Sequence, residues 1–353
     1  MQWLERFRAG STIETDTAAL DSGRIRCTSC RGDIAFADHP PLSLQRCPKC
    51  NELFFVPMHA GDWWTVRPLA AGGFSSVYLA VSHADRSALA ASKVLRRGPD
   101  LPAWAVDDFM REAAMLEAAQ PHPSVPKLYD HGELDIPEAA AILIMEYLDG
   151  TRLDHLAENA PNGKLPPEEA LYYTMDLVSA LSHLHTRGMV FRDLKPDNVM
   201  IRQDHGAMLV DFGLCRPIEE ARRRPNEALV GTPLLMPPER IEGMPEDGRS
   251  DVYALGLTLY AMLTGRHYYT GNEIKPLLKA HTRSLRLPTR VKMQGMDEDL
   301  VQLVDSMIQR APDERLQSCA AVAEAVQPIL DRLRAQPAPN ASVTQRRKMH
   351  ARL

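Results

Sequence analysis

The stretch "VFRDLKPDNVMI", residues 190–201, places Asp193, Lys195, Asp197 and Asn198 within six positions, between apolar residues of strand type. Asp211 follows a second apolar run, "AMLV", 18 residues beyond Asp193. Asn198 and Asp211 are hard oxygen donors of the kind that hold magnesium when phosphates supply most of its other ligands. Upstream, "SALAASKVL" alternates so that Leu89, Ala91, Lys93 and Leu95 share one strand face. Glu112 lies three residues after Phe109 and four before Leu116, on the apolar face of a helix read over 104–119. Unpaired buried charge is costly, so two misfits of opposite sign on consecutive elements are read as a pair. Just before them, "LAAGGFSSVYLA" (69–80) reads as strand, glycine turn, strand, and Gly72 and Gly73 let loop amides approach and cradle a phosphate. A phosphate-sized turn, an inward lysine and a glutamate holding it make half of a nucleoside triphosphate site.

Cys27-x-x-Cys30 and Cys47-x-x-Cys50 are separated by 16 residues, the spacing of a four-cysteine zinc site. Two thiolates three residues apart in a tight turn can face one tetrahedral ion, and a closed site of this kind is structural. Gly32, Pro48 and Asn51 are residue types that such turns favour. The segment is too short to build much core, so the ion is expected to replace one. Five basic residues stand against three acidic ones over 24–59, a balance too weak to point to DNA or RNA.

These residues need elements to hold them. Short apolar runs over 65–95, near 125–130 and at 141–147 predict a strand-rich first half, and "HAGDWW" (59–64) reads as the hinge out of the cysteine segment. After Gly150 the pattern is helical. The clearest case is 167–187, which opens on Pro167, repeats apolar residues at Leu171, Met175, Val178, Leu181 and Leu184, and stops at Gly188. Further helices are expected at 250–264, 296–309 and 318–334.

At 353 residues and 44% hydrophobic, the chain can bury a large core. A net charge of -5 gives no global reason to expect nucleic acid or an anionic membrane as partner. No run approaches the roughly 20 apolar residues of a membrane span. The start, "MQWLERFRAGSTIETD", lacks a signal-peptide core, so a cytoplasmic protein is expected. In that reducing compartment paired cysteines point to metal rather than disulfides.

Taken in order, the glycine loop at 69–77, Ala91 to Lys93, Glu112, "DLKPDN", "DFG" at 211–213 and "PPE" at 237–239 resemble a eukaryotic-type (bacterial-like) serine/threonine protein kinase over about residues 60–335. The resemblance implies an α+β chain with the two-lobed protein kinase fold: a β-rich N-lobe (60–148) and a helical C-lobe (149–335). A small zinc ribbon (23–59) precedes it, with a flexible segment at 1–22 and a disordered basic tail at 336–353. It implies ATP and magnesium, with manganese as an alternative, beside structural zinc on Cys27, Cys30, Cys47 and Cys50. Leu69, Gly72, Gly73, Phe74, Ser75, Val77 and Ala91 would line the nucleotide. Lys93, oriented by Glu112, would hold its α and β phosphates, and the Glu146 carbonyl and Leu148 amide, beside a gatekeeper Met145, would take the adenine edge. Asp193 would accept or orient the substrate hydroxyl proton, Lys195 would neutralise the γ phosphate, and Asn198 and Asp211 would hold the metal. Glu239 would pair with Arg315, and Asp251 would brace the catalytic loop.

Phe191 takes a place usually held by histidine, which stacks on the Phe of the DFG motif, here Phe212. Ala70, Gly72 and Ser75 stand where the family usually has three glycines, and Met236-Pro237-Pro238 replaces Met-Ala-Pro. Residues 214–230 hold no Ser, Thr or Tyr, although Arg192 marks the subclass switched by a phosphate in this loop. Glu219 or Glu220 is expected to supply the anion instead. Arginine-reading positions correspond to Arg152 and Ala261, with only Asp197 acidic, so no strong arginine requirement is expected. Protein Ser/Thr substrates are implied, with a protein partner for the ribbon. The alternatives are a silent pseudokinase scaffold and a zinc-ribbon nucleic-acid or protein-binding module.

Overall fold

The computed structural model describes residues 17–202, 206–223, 231–271, 273–283 and 288–335. The expected tail at 336–353, the first sixteen residues and positions 224–230 of the activation segment lie outside them. The chain divides into two compact units, one running to Glu117 and including Lys127–Leu148, the other made of Ala118–Pro126 and the chain from Asp149.

In the first unit, hairpins β1 (Arg24–Arg26) with β2 (Asp33–Ala35) and β3 (Leu44–Arg46) with β4 (Leu53–Phe55) each carry one cysteine pair at the turn. An antiparallel sheet follows: β5 (Met58–Ala60), β6 (Trp63–Ala71), β7 (Ser75–Ser82), β8 (Leu89–Arg96), β9 (Leu128–Glu133) and β10 (Ala139–Glu146), in the order β5-β6-β7-β8-β10-β9. The expected hinge at 59–64 is therefore a tight hairpin, with Met58, His59 and Ala60 opposite Thr65, Trp64 and Trp63. The reason lies in Trp63, whose ring stacks on Tyr129, and Trp64, whose ring lies tilted against His59, so that both belong to the sheet rather than to a linker. Nor are residues 17–22 loose. Thr17–Leu20 forms a helical turn, Leu20 is fully buried, and Asp21 accepts from Trp64 and pairs with Arg86.

The cysteine hairpins share their cores with this sheet. Ile25, Cys27, Ile34, Phe36, Cys47, Phe54 and Val56 pack with Val66 and Val81, while Phe55 and Met58 pack with Tyr78, Ala80, Ala90, Val94, Ile142 and Ile144. Fully burying an apolar side chain of this size contributes about 1.5–3 kcal/mol. The hairpins are thus a structural part of the unit.

In the second unit the expected helices appear at Pro167–Thr186, Gly248–Thr264, Glu298–Met307 and Cys319–Ala335. Gly248–Thr264 starts earlier than its apolar pattern because the Asp247 side chain caps it, accepting from the Arg249 N–H. It ends at Gly265, which has φ 69° and where a Cβ would stand 2.5 Å from the Gly163 carbonyl oxygen. Glu239 and Arg315, as expected, form a buried bidentate pair at 2.7 and 2.6 Å. Small strands complete the unit: β11 (Gly150–Arg152), β12 (Met189–Val190), β13 (Val199–Arg202), β14 (Gly206–Leu209) and β15 (Arg216–Pro217). No helix among the described residues is long and apolar enough to cross a membrane.

Buried in this unit, His281 lies against Tyr269 with its Nδ1 2.9 Å from the Tyr253 hydroxyl. Burial pulls its pKa down to about 4 from the ordinary 6.5. The neutral form is the folded form, so its contribution is complete above pH 6.5 and is lost as pH falls toward 4. At about 1.4 kcal/mol per pH unit, moving from pH 7 to 5 should cost about 2 kcal/mol through this residue. Despite its burial, His185 is held protonated to about 10 by Asp251 when folded and works the other way: the unfolded imidazole is mostly neutral at pH 7 and charged at pH 5, so this residue gains under about 1 kcal/mol over the window and offsets part of that loss equally in both proteins. Urea unfolding at pH 7 and 5 should show a smaller pH difference for His281→Gln than for wild type; an equal difference would refute the assignment.

Candidate functional site

In the first unit β8 is central, and its register fixes what lies beside the lysine. Lys93 stands opposite Val77 on β7 and Leu143 on β10, and Ala91 stands opposite Leu79 and Met145. These residues line one sheet face, while Tyr78, Ala80, Ala90, Val94, Ile142 and Ile144 fill the core on the other. Leu89, read on the lysine's face, is exposed at the strand's start. The helix Ala105–Ala118 buries Phe109, Glu112, Ala113 and Leu116. Lys93 Nζ donates to Glu112 Oε1 at 2.6 Å and Oε2 at 2.8 Å, the pair inferred from two misplaced charges. The glycine turn closes with the Gly72 N–H on the Ser75 carbonyl at 2.8 Å. A Cβ on Gly72 would crowd that carbonyl at 3.2 Å, whereas one on Gly73 would meet nothing within 4 Å. Phe74 is exposed and packs edge-on against Trp104. Leu69 and Val77 are half-buried on the flanking strands. Where β10 ends, Glu146 is tied to Lys127 in both directions: its N–H donates to the Lys127 carbonyl, and its carboxylate accepts from the Lys127 N–H. Leu148, half-buried, follows two residues later.

In the second unit the loop after β12 gathers the polar cluster. Asp193 Oδ2 accepts from Lys195 Nζ at 2.9 Å and from Asn198 Nδ2 at 2.8 Å, and the same Nδ2 also donates to the Asp193 carbonyl. Burial raises the Asp193 carboxyl above its ordinary range; Lys195 opposes this and Asp211 adds to it. Pro196–Asn198 is a single 3-10 turn whose Asn198 carbonyl accepts from the Val210 N–H, so one backbone bond links the segments carrying Asn198 and Asp211. Asp211 sits at φ 71°, and its carboxylate accepts from the Gly213 N–H. Phe191 is fully buried and meets Phe212 edge-on, with centroids 5.3 Å apart, so an aromatic keeps the expected packing post. Asp251, also buried, accepts from the Phe191 and Arg192 N–H groups at 2.9 and 2.8 Å and lies 2.9 Å from His185 Nε2.

The anion expected for Arg192 is a different residue. Glu219 is largely exposed and pairs with Arg222, whereas the Arg192 guanidinium donates through Nε and Nη2 to Glu246 Oε1 at 3.2 and 2.8 Å. A carboxylate with a 1% exposed side chain keeps its field, while one on an open surface is screened by water. Glu246 lies 54 positions from Arg192, and in "PPERIEGMPEDGRS" it reads as one charge among several on a solvated turn. Nothing local in the sequence marks it.

A family model described as Protein kinase domain matches residues 63–327. The chain belongs to the protein kinase family. Among curated proteins, it is similar to the serine/threonine-protein kinase PknB of Mycobacterium tuberculosis, 32% identical over 272 residues, or 75% of this chain and 42% of that one. It also resembles the serine/threonine-protein kinase pkn2 of Myxococcus xanthus, 31% identical over 274 residues, or 75% of this chain and 32% of that one. The chain therefore spans less than half the length of these relatives. The matched kinase domain contains Lys93, Glu112, Asp193, Lys195, Asn198 and Asp211.

The cysteine cluster precedes the matched kinase domain. Sγ atoms of Cys27, Cys30, Cys47 and Cys50 all lie within 4.8 Å of one another, with Cys27 to Cys50 at 3.5 Å and Cys30 to Cys47 at 3.8 Å. Four sulfurs about 2.3 Å from one tetrahedral zinc stand about 3.8 Å apart, so the cluster fits that ion. The two knuckles repeat one geometry. Cys27 and Cys47 donate to the carbonyls of Gly32 and Glu52, and Arg31 and Asn51 donate back to Cys27 and Cys47 with φ 58° and 66°. N–H groups of Lys49 and Cys50 draw the Cys47 thiol down to about 7, so a thiolate is available near neutrality. Despite the Gly32 N–H, burial and the other three thiols push Cys30 up to about 11.

Proposed function

We propose that the chain is a protein serine/threonine kinase that moves the γ-phosphoryl group of ATP to Ser and Thr hydroxyls of proteins, and that the cysteine cluster holds structural zinc. The observation that carries this reading is the Asp193–Lys195–Asn198 cluster, assembled around one carboxylate oxygen within a kinase domain. The substrate oxygen forms a bond to the γ phosphorus as the bond to the β-phosphate oxygen breaks, and ADP leaves with that electron pair. Asp193 accepts or orients the hydroxyl proton, and burial that raises its carboxyl favours this role. Lys195 neutralises charge on the phosphoryl oxygens. Lys93, fixed by Glu112, takes the α and β phosphates, the turn closed by the Gly72 N–H presents the amides of Gly73, Phe74 and Ser75 to cradle the phosphates, and Leu69, Val77 and Ala91 contact the base. The Glu146 carbonyl and Leu148 amide take the adenine edge. Asn198 and Asp211 would hold magnesium, or manganese, which supplies charge neutralisation on the phosphates.

The test is transfer of radiolabelled γ-phosphate to a protein substrate by the purified chain. Transfer supports the reading; none, despite thermal stabilisation by nucleotide, would instead support a silent scaffold.

Peptide preference follows from Arg152. Its guanidinium is bidentate on Asp154 and also reaches Asp197 at 3.0 Å, neutralising the acidic residue that could read a substrate arginine. A peptide array should show no strong selection for arginine upstream of the acceptor. An array dominated by arginine three residues before it would sink this point.

A further inference from the structure

We propose that Glu246 is a positioning residue for phosphoryl transfer, an internal anion that holds Arg192, and through it Asp193, in the working conformation without a phosphate on the activation segment. This rests on the kinase reading above and deepens it.

Arg192 immediately precedes Asp193 and is held at φ 71°, in the left-handed region that side chains disfavour. Three groups hold it there. Asp251 accepts its N–H at 2.8 Å, Arg240 Nη1 donates to its carbonyl at 2.6 Å, and Glu246 accepts its guanidinium. Glu246 organises two of the three, because its other oxygen accepts from Arg240 Nε and Nη2 at 2.9 and 2.6 Å. One buried carboxylate thus bridges two guanidiniums that grip the residue before Asp193 from its side chain and from its carbonyl. Glu246 also reaches the activation segment, since its N–H donates to the Ala221 carbonyl at 3.0 Å. Glu246 thus gives both guanidiniums a buried anion within the fold, while Asp251 shares its carboxylate with His185. Residues 214–230, which contain no hydroxyl side chain, could not supply one as phosphate.

The experiment compares wild type, Glu246→Gln, Glu246→Asp and Glu246→Gln with Arg240→Gln in the same ATP-transfer assay. Gln keeps the shape and removes the charge. Misplacement of a reacting group by about 1 Å can cost about 100-fold, so kcat should fall roughly 10- to 100-fold with KM for ATP within about twofold. Glu246→Asp should recover part of the loss. The double variant restores charge balance but not the Arg192 contact and should stay slow. Phosphatase treatment of wild type should leave its rate unchanged, an arm that stands even if the single variant folds poorly. Wild-type kcat in Glu246→Gln, full recovery in the double variant, or loss of rate on phosphatase treatment would each overturn the proposal while leaving the kinase reading intact. A wild type that transfers nothing removes both.

Discussion

Asp193→Asn should abolish phosphate transfer at the level of a bench assay while leaving nucleotide binding in place. A positioned base contributes about 10²- to 10⁴-fold, and Asn cannot accept the hydroxyl proton. Its amide can still offer an oxygen to one of the two donors, Lys195 Nζ and Asn198 Nδ2, that now converge on Asp193 Oδ2. The loop is also tied through Asp251 and Arg240 at neighbouring residues, contacts the substitution does not touch. The fold should therefore survive, and ATP should raise the melting temperatures of the variant and the wild type alike. Radiolabel transfer measured beside that thermal shift separates chemistry from binding. Transfer within tenfold of wild type would exclude Asp193 from the role.

Removing zinc should unfold more than the ribbon. Structural zinc in small domains contributes about 10–16 kcal/mol of apparent binding energy, most of it realised as folding. Cys27 and Cys47 lie in the same core as Val66 and Val81 of the kinase sheet, and Phe55 and Met58 lie in the core behind β8, the strand that carries Lys93. Opening the knuckles exposes one side of both cores. If a third of the zinc energy reaches the sheet, the melting temperature should fall by roughly 10 °C or more, at about 2–4 °C per kcal/mol for a domain of this size. Metal analysis should return one zinc per chain, and chelation or Cys47→Ser should lower the melting temperature by that amount. An unchanged melting temperature after complete zinc loss, or a chain purified without metal, would refute the structural role. The hairpins' own apolar residues pack on the kinase sheet, so part of the ribbon's surface is committed within the chain.

Local chemistry made much of the site readable in advance. Glu112 and Lys93 were visible because each breaks the apolar pattern of its own element, and unpaired charge on a buried face demands a partner. The cysteine cluster was visible because ligand spacing is set by the turn that carries it. Helix Pro167–Thr186 was visible because its period runs unbroken from proline start to glycine stop. The hinge reading failed at 59–64 because Gly61 and Asp62 signal a turn in a linker and in a tight hairpin alike, and only the partners of Trp63 and Trp64 distinguish the two.

The sequence by itself determined the family, the order of the motif residues, the cysteine cluster and the main helices, since each is written in spacing along a few turns of chain. Tertiary structure alone decided that the cysteine hairpins share a core with the kinase sheet, that Arg152 covers Asp197, and that Glu246 rather than Glu219 or Glu220 answers Arg192. Those three depend on contacts between residues tens of positions apart. In each, the outcome is set by which charge or apolar surface becomes buried beside which, and that is a property of the folded chain.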